Sequence, residues 1–380
     1  MPPPTRSHVQ RFECKTPDVP GVDRSALKDD ILETIFEHSM APVYEEICQE
    51  QGWDVDAAAL DRMKAANAER LKEIDAKIQD ATENLGETEV REALLAKAEY
   101  LAEIGDRPAA IEAYAATEAK TAGAGPKMDL ALALLRLDIS RGDWHAVKDG
   151  IERAEALCAK GGDWERKNRL KVYNALFLTA TRQFSRAAEL FLDSVATFTA
   201  TELMPYTQCV FYTVTLAVVA IERPLLKSSV IDNPEILSVI DSLPHLRSYL
   251  NSLYGCRYSE FFAAFAGLTD SIRSSRILHP HFRYFMREAR ATAYSQFLES
   301  YKSVTLVAMA NSFGVSPEFL DSELADFIVA GRLAAKIDRV GGTVETTRPD
   351  AKNALYQQAI RQGDHLLNKL QKLSKVVDAE

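Results

Sequence analysis

The sequence predicts a mostly α-helical chain: a helical-repeat solenoid of the tetratricopeptide sort, then a winged helix, then a single C-terminal helix. Three observations predict it. Turn-like sequences recur at Gly105, Gly142, Arg182 and Cys256, which stand 37, 40 and 74 residues apart, the last about two periods. Residues 301–349 run in the order helix, turn, helix, hairpin. Residues 366–377 carry an apolar stripe at heptad-like spacing.

A chain of 380 residues is long enough for two or three domains and a sizeable core. Hydrophobic residues at 47% and charged residues at 26% make an ordinary globular composition, so neither disorder nor a membrane class is indicated. The opening MPPPTRSHVQRFE has no apolar stretch of the secretory kind. The longest apolar run, 214–221, is far too short to span a bilayer. Five cysteines (Cys14, Cys48, Cys158, Cys209, Cys256) are scattered and never form a C-x-x-C pair, the usage of free thiols in an intracellular protein. The expected location is therefore cytosolic or nuclear.

In chain order, residues 1–25 are rich in Pro and polar residues and are expected to form an extended arm. A helical pattern over 27–48 is interrupted at Pro42. From 57 to 85 the chain is densely charged, with apolar residues at Leu60, Met63, Leu71, Ile74, Ile78, Ala81 and Leu85. The last five are spaced 3, 4, 3 and 4, a seam along one long helix that lies on its own domain or, less simply, on a partner helix. Gly86 closes it.

The repeats follow. Residues 94–116 read as helix, Gly105-Asp106, helix; 130–156 repeat this around Gly142-Asp143-Trp144; 170–191 repeat it around Arg182-Gln183-Phe184. A fainter copy spans 253–265 around Cys256-Arg257-Tyr258. Small residues open each second helix (Ala109 and Ala110, Ala146 and Val147, Ala187 and Ala188) and let the paired helices approach closely. Each pair leaves an apolar face that only its neighbour buries, so the array is a solenoid. Such arrays offer binding surfaces. Over 202–241 Pro205, Pro224 and Pro234 are expected to break helices, and 271–300 form a helical approach with Phe285, Ala289, Ala293, Phe297 and Leu298 inward.

Leu306, Met309, Ala310 and Phe313 form one face of a short helix that stops at Gly314. Ser316 is placed to cap the next helix, with Pro317 at its first position, and Phe319, Leu320, Leu324, Phe327 and Ile328 are expected inward. A strand over 333–340, a turn at Gly341-Gly342 and a returning strand over 343–347 complete a winged helix. Its second helix carries Glu318, Asp321, Glu323 and Asp326 and no Lys or Arg between 316 and 330. With a net charge of -10 and a pI near 5.4, the chain would repel phosphates, so DNA binding here is not expected. Packing against other proteins through helices and sheet edges is the remaining use.

After Pro349 a single helix runs to about Val377, with Leu366, Leu370, Leu373 and Val377 at spacings of 4, 3 and 4. The stripe could fold back on the repeats; a bundle with helices of other chains suits it better.

Catalytic and cofactor motifs fail on inspection. His279-Pro280-His281 resembles half of a zinc site of the deubiquitinase kind, but Ala289 and Thr292 stand where its Ser and Asp should be. Gly314-Val315-Ser316 begins like a nucleophile elbow, yet Glu318 replaces the second Gly. The stretch 123–127 lacks the length and closing Gly-Lys-Ser/Thr of a P-loop. No cofactor or metal is expected, and no enzymatic activity.

At this point a family resemblance is carried by GETEVREALLAKAEYLAEIGD (86–106), GGDWERKNRLKVYNALF (161–177), AAELFLDSVATFT (187–199) and SLPHLRSYLNSLYGCRYSEFF (242–262). It continues through AYSQFLESYKSVTL (293–306), FGVSPEFLDSELADFIVAGRLAAKIDRVGGTVETTRPD (313–350) and LLNKLQKLSKVV (366–377). These strings, covering nearly the whole chain after residue 25, resemble PCI-domain proteins, the family shared by the proteasome lid, the COP9 signalosome and translation initiation factor three. The segment KIDRV…VETTRPD (336–350) and the short tail are most similar to the lid branch.

The expected organisation is therefore the arm over 1–25 and a helical region with repeats over 26–270, followed by the winged-helix end of a PCI domain over 271–348 (the wider family definition begins near 190) and a bundle helix over 349–380. The resemblance implies a non-catalytic scaffold in the proteasome regulatory particle lid, serving ubiquitin-dependent degradation in cytoplasm and nucleus. The implied partners are other lid PCI subunits and the lid deubiquitinase, with the ATPase ring and core particle in the assembled proteasome, and neither nucleic acid nor membrane. On this sequence the implied contacts are Lys336, Ile337, Asp338, Thr343, Val344 and Glu345 for sheet-to-sheet packing. Leu366, Leu370, Leu373 and Val377 are implied for the helix bundle. A signalosome scaffold is the alternative, and an RNA-binding winged helix a more distant one.

Overall fold

The computed structural model describes residues 24–347 and 351–377, so the arm expected over 1–25 lies almost wholly outside the described residues. The chain divides into two compact units, Met1–Ala289 and Arg290–Glu380.

The first unit begins with helices α1 (Arg24–Glu37) and α2 (Ala41–Gln51). The break expected at Pro42 falls earlier, where Ser39 takes φ 51, and Pro42 sits in the first turn of α2. There its missing N–H would have had no partner anyway. Helix α3 (Ala57–Asn84) starts where Asp56 accepts bonds from the amides of Ala58 and Ala59. On its seam Ile74 and Ala81 are buried, and Leu71 packs into a cluster with Leu101, Ile104 and Tyr114. The seam therefore serves its own unit; Leu85, at its end, is exposed.

Three helix pairs follow: α4 (Glu87–Ile104) with α5 (Arg107–Ala119), α6 (Ala124–Arg141) with α7 (Trp144–Ala159), and α8 (Trp164–Ala180) with α9 (Phe184–Val195). The turn residues Gly105, Gly142 and Arg182 all take the left-handed conformation, at φ 84, 77 and 64. After the two glycines, Asp106 and Asp143 accept bonds from the amides of Ala109 and Ala146. The Gly-Asp pair thus closes one helix and caps the next. Ala110, Val147, Ala187 and Ala188 are fully enclosed between paired helices, as their size requires. Ion pairs tie successive pairs together, Arg107 to Asp138 at 2.6 Å and Arg166 to Asp129 at 2.7 Å.

The less regular region holds α10 (Tyr206–Ala220), α11 (Arg223–Leu226), a π-helical turn (Lys227–Ile231) and α12 (Pro234–Ile240). Its prolines do not break helices. Pro205 caps α10, and Pro224 and Pro234 stand in the first turns of α11 and α12. The fainter repeat is α13 (Leu246–Tyr254) with α14 (Tyr258–Ser274), turning at Cys256 with φ 57. Its core is a stack of Tyr249, Phe261 and Phe265 with ring centroids 5.0 to 5.8 Å apart. A 3-10 turn (His279–His281) leads into α15 (Phe282–Glu299), within which the first unit ends.

The second unit is a winged helix with a C-terminal helix. Strand β1 (Ser303–Thr305) precedes α16 (Leu306–Phe313) and α17 (Pro317–Val329); β2 (Ala335–Asp338) and β3 (Thr343–Thr346) form the wing. The predicted cap is present, with the Ser316 hydroxyl accepting from the Phe319 amide. Tyr294, Met309, Phe313, Leu320, Leu324, Phe327 and Val344 make the core. Helix α18 (Ala351–Val377) closes the chain.

Three expectations need correction. The strand β1 was not anticipated: three residues are too few to show alternation, and Val304 is its lone apolar member. The strand expected over 333–340 is only Ala335–Asp338, and Val340 is fully exposed in a turn spanning residues 339–342 rather than two glycines. Phe319, expected inward, is exposed, because the first turn of α17 overhangs the core that Leu320 and Leu324 fill.

Candidate interaction site

The side chains that hinted at chemistry have structural work. His279 and His281 sit within hydrogen-bond distance of the carbonyls of Arg273 and Ala180, each at 2.7 Å, so both cap helix C-termini. Burial pushes the Cys209 thiol up to about 12 and raises Cys48 as well, which leaves both as thiols rather than thiolates at neutral pH. Among the described residues no three His, Cys, Asp or Glu side chains gather as a metal site. No described helix is long and apolar enough to cross a membrane.

The acidic helix α17 is less acidic at its surface than its composition suggests. Glu323 turns inward, accepting the Tyr294 hydroxyl at 2.5 Å and pairing with Arg290 at 2.9 Å. Asp321 pairs with Arg339 of the wing at 3.1 Å. Burial first, and the Glu323 carboxylate second, push the Tyr294 phenol well above its ordinary value of 10.0. Two of the four acids thus hold the winged helix together, leaving Glu318 and Asp326 outward.

The sheet is antiparallel in the order β1-β3-β2. Strand β3 is therefore central, which corrects the expectation that Thr343, Val344 and Glu345 offer a free edge. Val344 pairs with Val304 on one side and Ile337 on the other, and its side chain is buried. The open edges belong to β2 and β1. The Thr347 amide bonds to the Ala334 carbonyl, which makes Ala335–Thr346 a wide pair of the ladder. By alternation Lys336 and Asp338 bond toward β3, while Ile337 turns its N–H and C=O outward. No other described strand pairs with that edge. Lys336 and Asp338 are exposed and Ile337 is half-buried.

On α18, Leu366, Leu370 and Leu373 are 61%, 57% and 61% exposed. The side chain of Val377 lies outside the described residues. Sequence reasoning missed part of this face: Leu355, Tyr356, Ile360 and Leu367 are exposed to a similar degree. Ile360 and Leu367 are seven apart and flank the stripe, so a full heptad count would have found them. The result is a broad apolar face, wider than a two-stranded coiled-coil seam and typical of a helix packed in a bundle.

The chain is similar to known families along most of its length. Residues 56–229 match the family described as 26S proteasome subunit RPN7, and residues 266–348 match the PCI domain. Residues 356–377, within α18, match the 26S proteasome regulatory subunit RPN7/PSMD6 C-terminal helix. The 26S proteasome non-ATPase regulatory subunit 6 homolog of Arabidopsis thaliana is 53% identical, covering 97% of this chain and 95% of that one. The chain belongs to the Rpn7 family. The 26S proteasome regulatory subunit RPN7 of Saccharomyces cerevisiae is 37% identical over 91% of this chain and 87% of its own length. COP9 signalosome complex subunit 1 of Arabidopsis thaliana is 28% identical over only 39% of this chain. The similarity to Rpn7 relatives therefore runs from the repeats through α18, whereas this signalosome relative shares a part.

Proposed function

We propose that this Rpn7-family chain acts as a non-catalytic structural subunit of the proteasome regulatory particle lid, holding other subunits in place for ubiquitin-dependent degradation. The observation that carries this is α18: a broad apolar face, uncovered along its described length, on the residues that match the family's C-terminal helix. Leu366, Leu370, Leu373 and Val377 would be buried among helices of other lid subunits. The outer edge of β2, through Lys336, Ile337 and Asp338, would continue into the sheet of a neighbouring winged helix, with Thr343, Val344 and Glu345 fixing its register from the central strand. In this proposal the lid deubiquitinase, the ATPase ring and the core particle are partners of the assembled particle, and the chain works in cytoplasm and nucleus.

The test replaces Leu366, Leu370 and Leu373 together with Asp. These side chains are already exposed in the chain alone, so its helicity should be unchanged while co-migration with the large complex is lost. Undiminished co-migration would contradict the bundle.

A further inference from the structure

We propose that the turn between α8 and α9, with the start of α15, forms a cationic surface that binds an acidic peptide segment of a partner protein. The turn is the first observation. The two preceding repeats place Gly at the left-handed position, where it is free of strain, but the third places Arg182 there at φ 64. An arginine kept against that strain points to a use for its side chain.

That side chain is held in place. Its Nε donates to His281 Nδ1 at 2.8 Å, which makes Nε2 of the neutral ring the N–H that bonds the Ala180 carbonyl at 2.7 Å. The guanidinium carbon lies 5.6 Å from the ring centroid of Tyr284, and that of Arg287 lies 5.5 Å from the same ring. Phe184 flanks Tyr284 at 5.8 Å. Arg283 stands one helical turn from Arg287 on α15, a like-charge pair that opposes the helix. The terminal nitrogens of Arg182 have no acceptor among the described residues. Arg287 lies 3.9 Å from Glu288, the only acid in residues 271–298.

Several arginines elsewhere in the first unit contrast with these. Arg107, Arg141, Arg166 and Arg169 each meet a carboxylate at 2.5 to 2.7 Å, and Arg153 meets Glu118. Arg182 and Arg287, gathered on one aromatic ring with a single carboxylate no nearer than 3.9 Å, are complementary to further carboxylates, which match guanidinium forks two bonds at a time. A short acidic segment fits better than nucleic acid. The chain carries -10 overall, and beyond a screening length of about 8 Å a long polyanion would meet its acidic remainder.

The experiment titrates the full chain into fluorescein-labelled octaglutamate and reads anisotropy, with octaglutamine and an eight-nucleotide single strand as comparisons. Saturable binding of octaglutamate alone is expected, weakening at higher salt. Changing Arg283 and Arg287 together to Gln should weaken it about tenfold. Arg182→Gly should weaken it while leaving far-ultraviolet dichroism intact, because glycine suits the turn. Equal affinity for the variants, equal binding of octaglutamine, or tighter binding of the oligonucleotide would overturn the proposal.

Discussion

Gly105 and Gly142 occupy equivalent turns, and replacing each with Ala separates two costs that usually come together. Both have positive φ, 84 and 77, so either alanine incurs left-handed strain of about 1 kcal/mol. They differ in surroundings. A Cβ on Gly142 would meet nothing within 4 Å, whereas one on Gly105 would lie 2.1 Å from Cγ2 of Val43. Val43 is buried and β-branched, so its methyl cannot rotate away freely. Overpacking of this kind adds about 2 kcal/mol. The expected losses are therefore about 1 kcal/mol for Gly142→Ala and about 3 kcal/mol for Gly105→Ala. Urea unfolding followed by circular dichroism measures both, with unchanged slopes confirming that the native and unfolded states are comparable. Adding Val43→Ala to Gly105→Ala should be less costly than the sum of the two single changes, because the clash disappears. Equal losses at the two glycines would refute the claim that α2 packs directly against the first repeat turn.

Other outcomes follow from the same coordinates. Glu323→Leu should destabilise the second unit by about 3 kcal/mol, because the buried Tyr294 hydroxyl loses its acceptor and Arg290 its counter-charge, while Glu323→Gln should cost about 1 kcal/mol. A leucine variant as heat-stable as the original would show the clasp to be dispensable. Burial, with a smaller contribution from Arg182, holds the His281 imidazole below its ordinary value of 6.5. The unfolded chain therefore takes up a proton near 6.5 that the folded chain refuses, so this contribution is complete above that value and is lost as pH falls through the lower folded value. His281→Gln should flatten that part of the stability profile; an unchanged slope would assign it to other groups. Ile337→Pro removes an outward N–H and no ladder bond, so it should leave the chain folded and weaken its assembly. Normal incorporation would mean that this edge is not used.

The helical pairs were legible because their punctuation is chemical: Gly105 and Gly142 supply the left-handed turn, and Asp106 and Asp143 the caps. Where punctuation and element disagreed, the prolines were the cause. Pro42, Pro205, Pro224 and Pro234 look like breaks in a sequence, yet all four lie at helix starts. Strand β1 was not legible, since three residues with one apolar side chain carry no period, and its absence misplaced the free edge onto β3. The inward turn of Glu323 was hidden for a related reason. Composition counts a carboxylate as surface, and only the fold brings Tyr294 and Arg290 to it. The stripe on α18 was visible from its spacing, but its breadth emerged only when Leu355, Tyr356, Ile360 and Leu367 proved exposed beside it.

The most direct test of the central claim is affinity purification of the tagged full chain from its own cells, followed by native separation and mass identification of what travels with it. Recovery with proteasome lid, ATPase-ring and core-particle subunits is the predicted result. Recovery of the chain alone, or with cullins and deneddylating subunits instead, would contradict it.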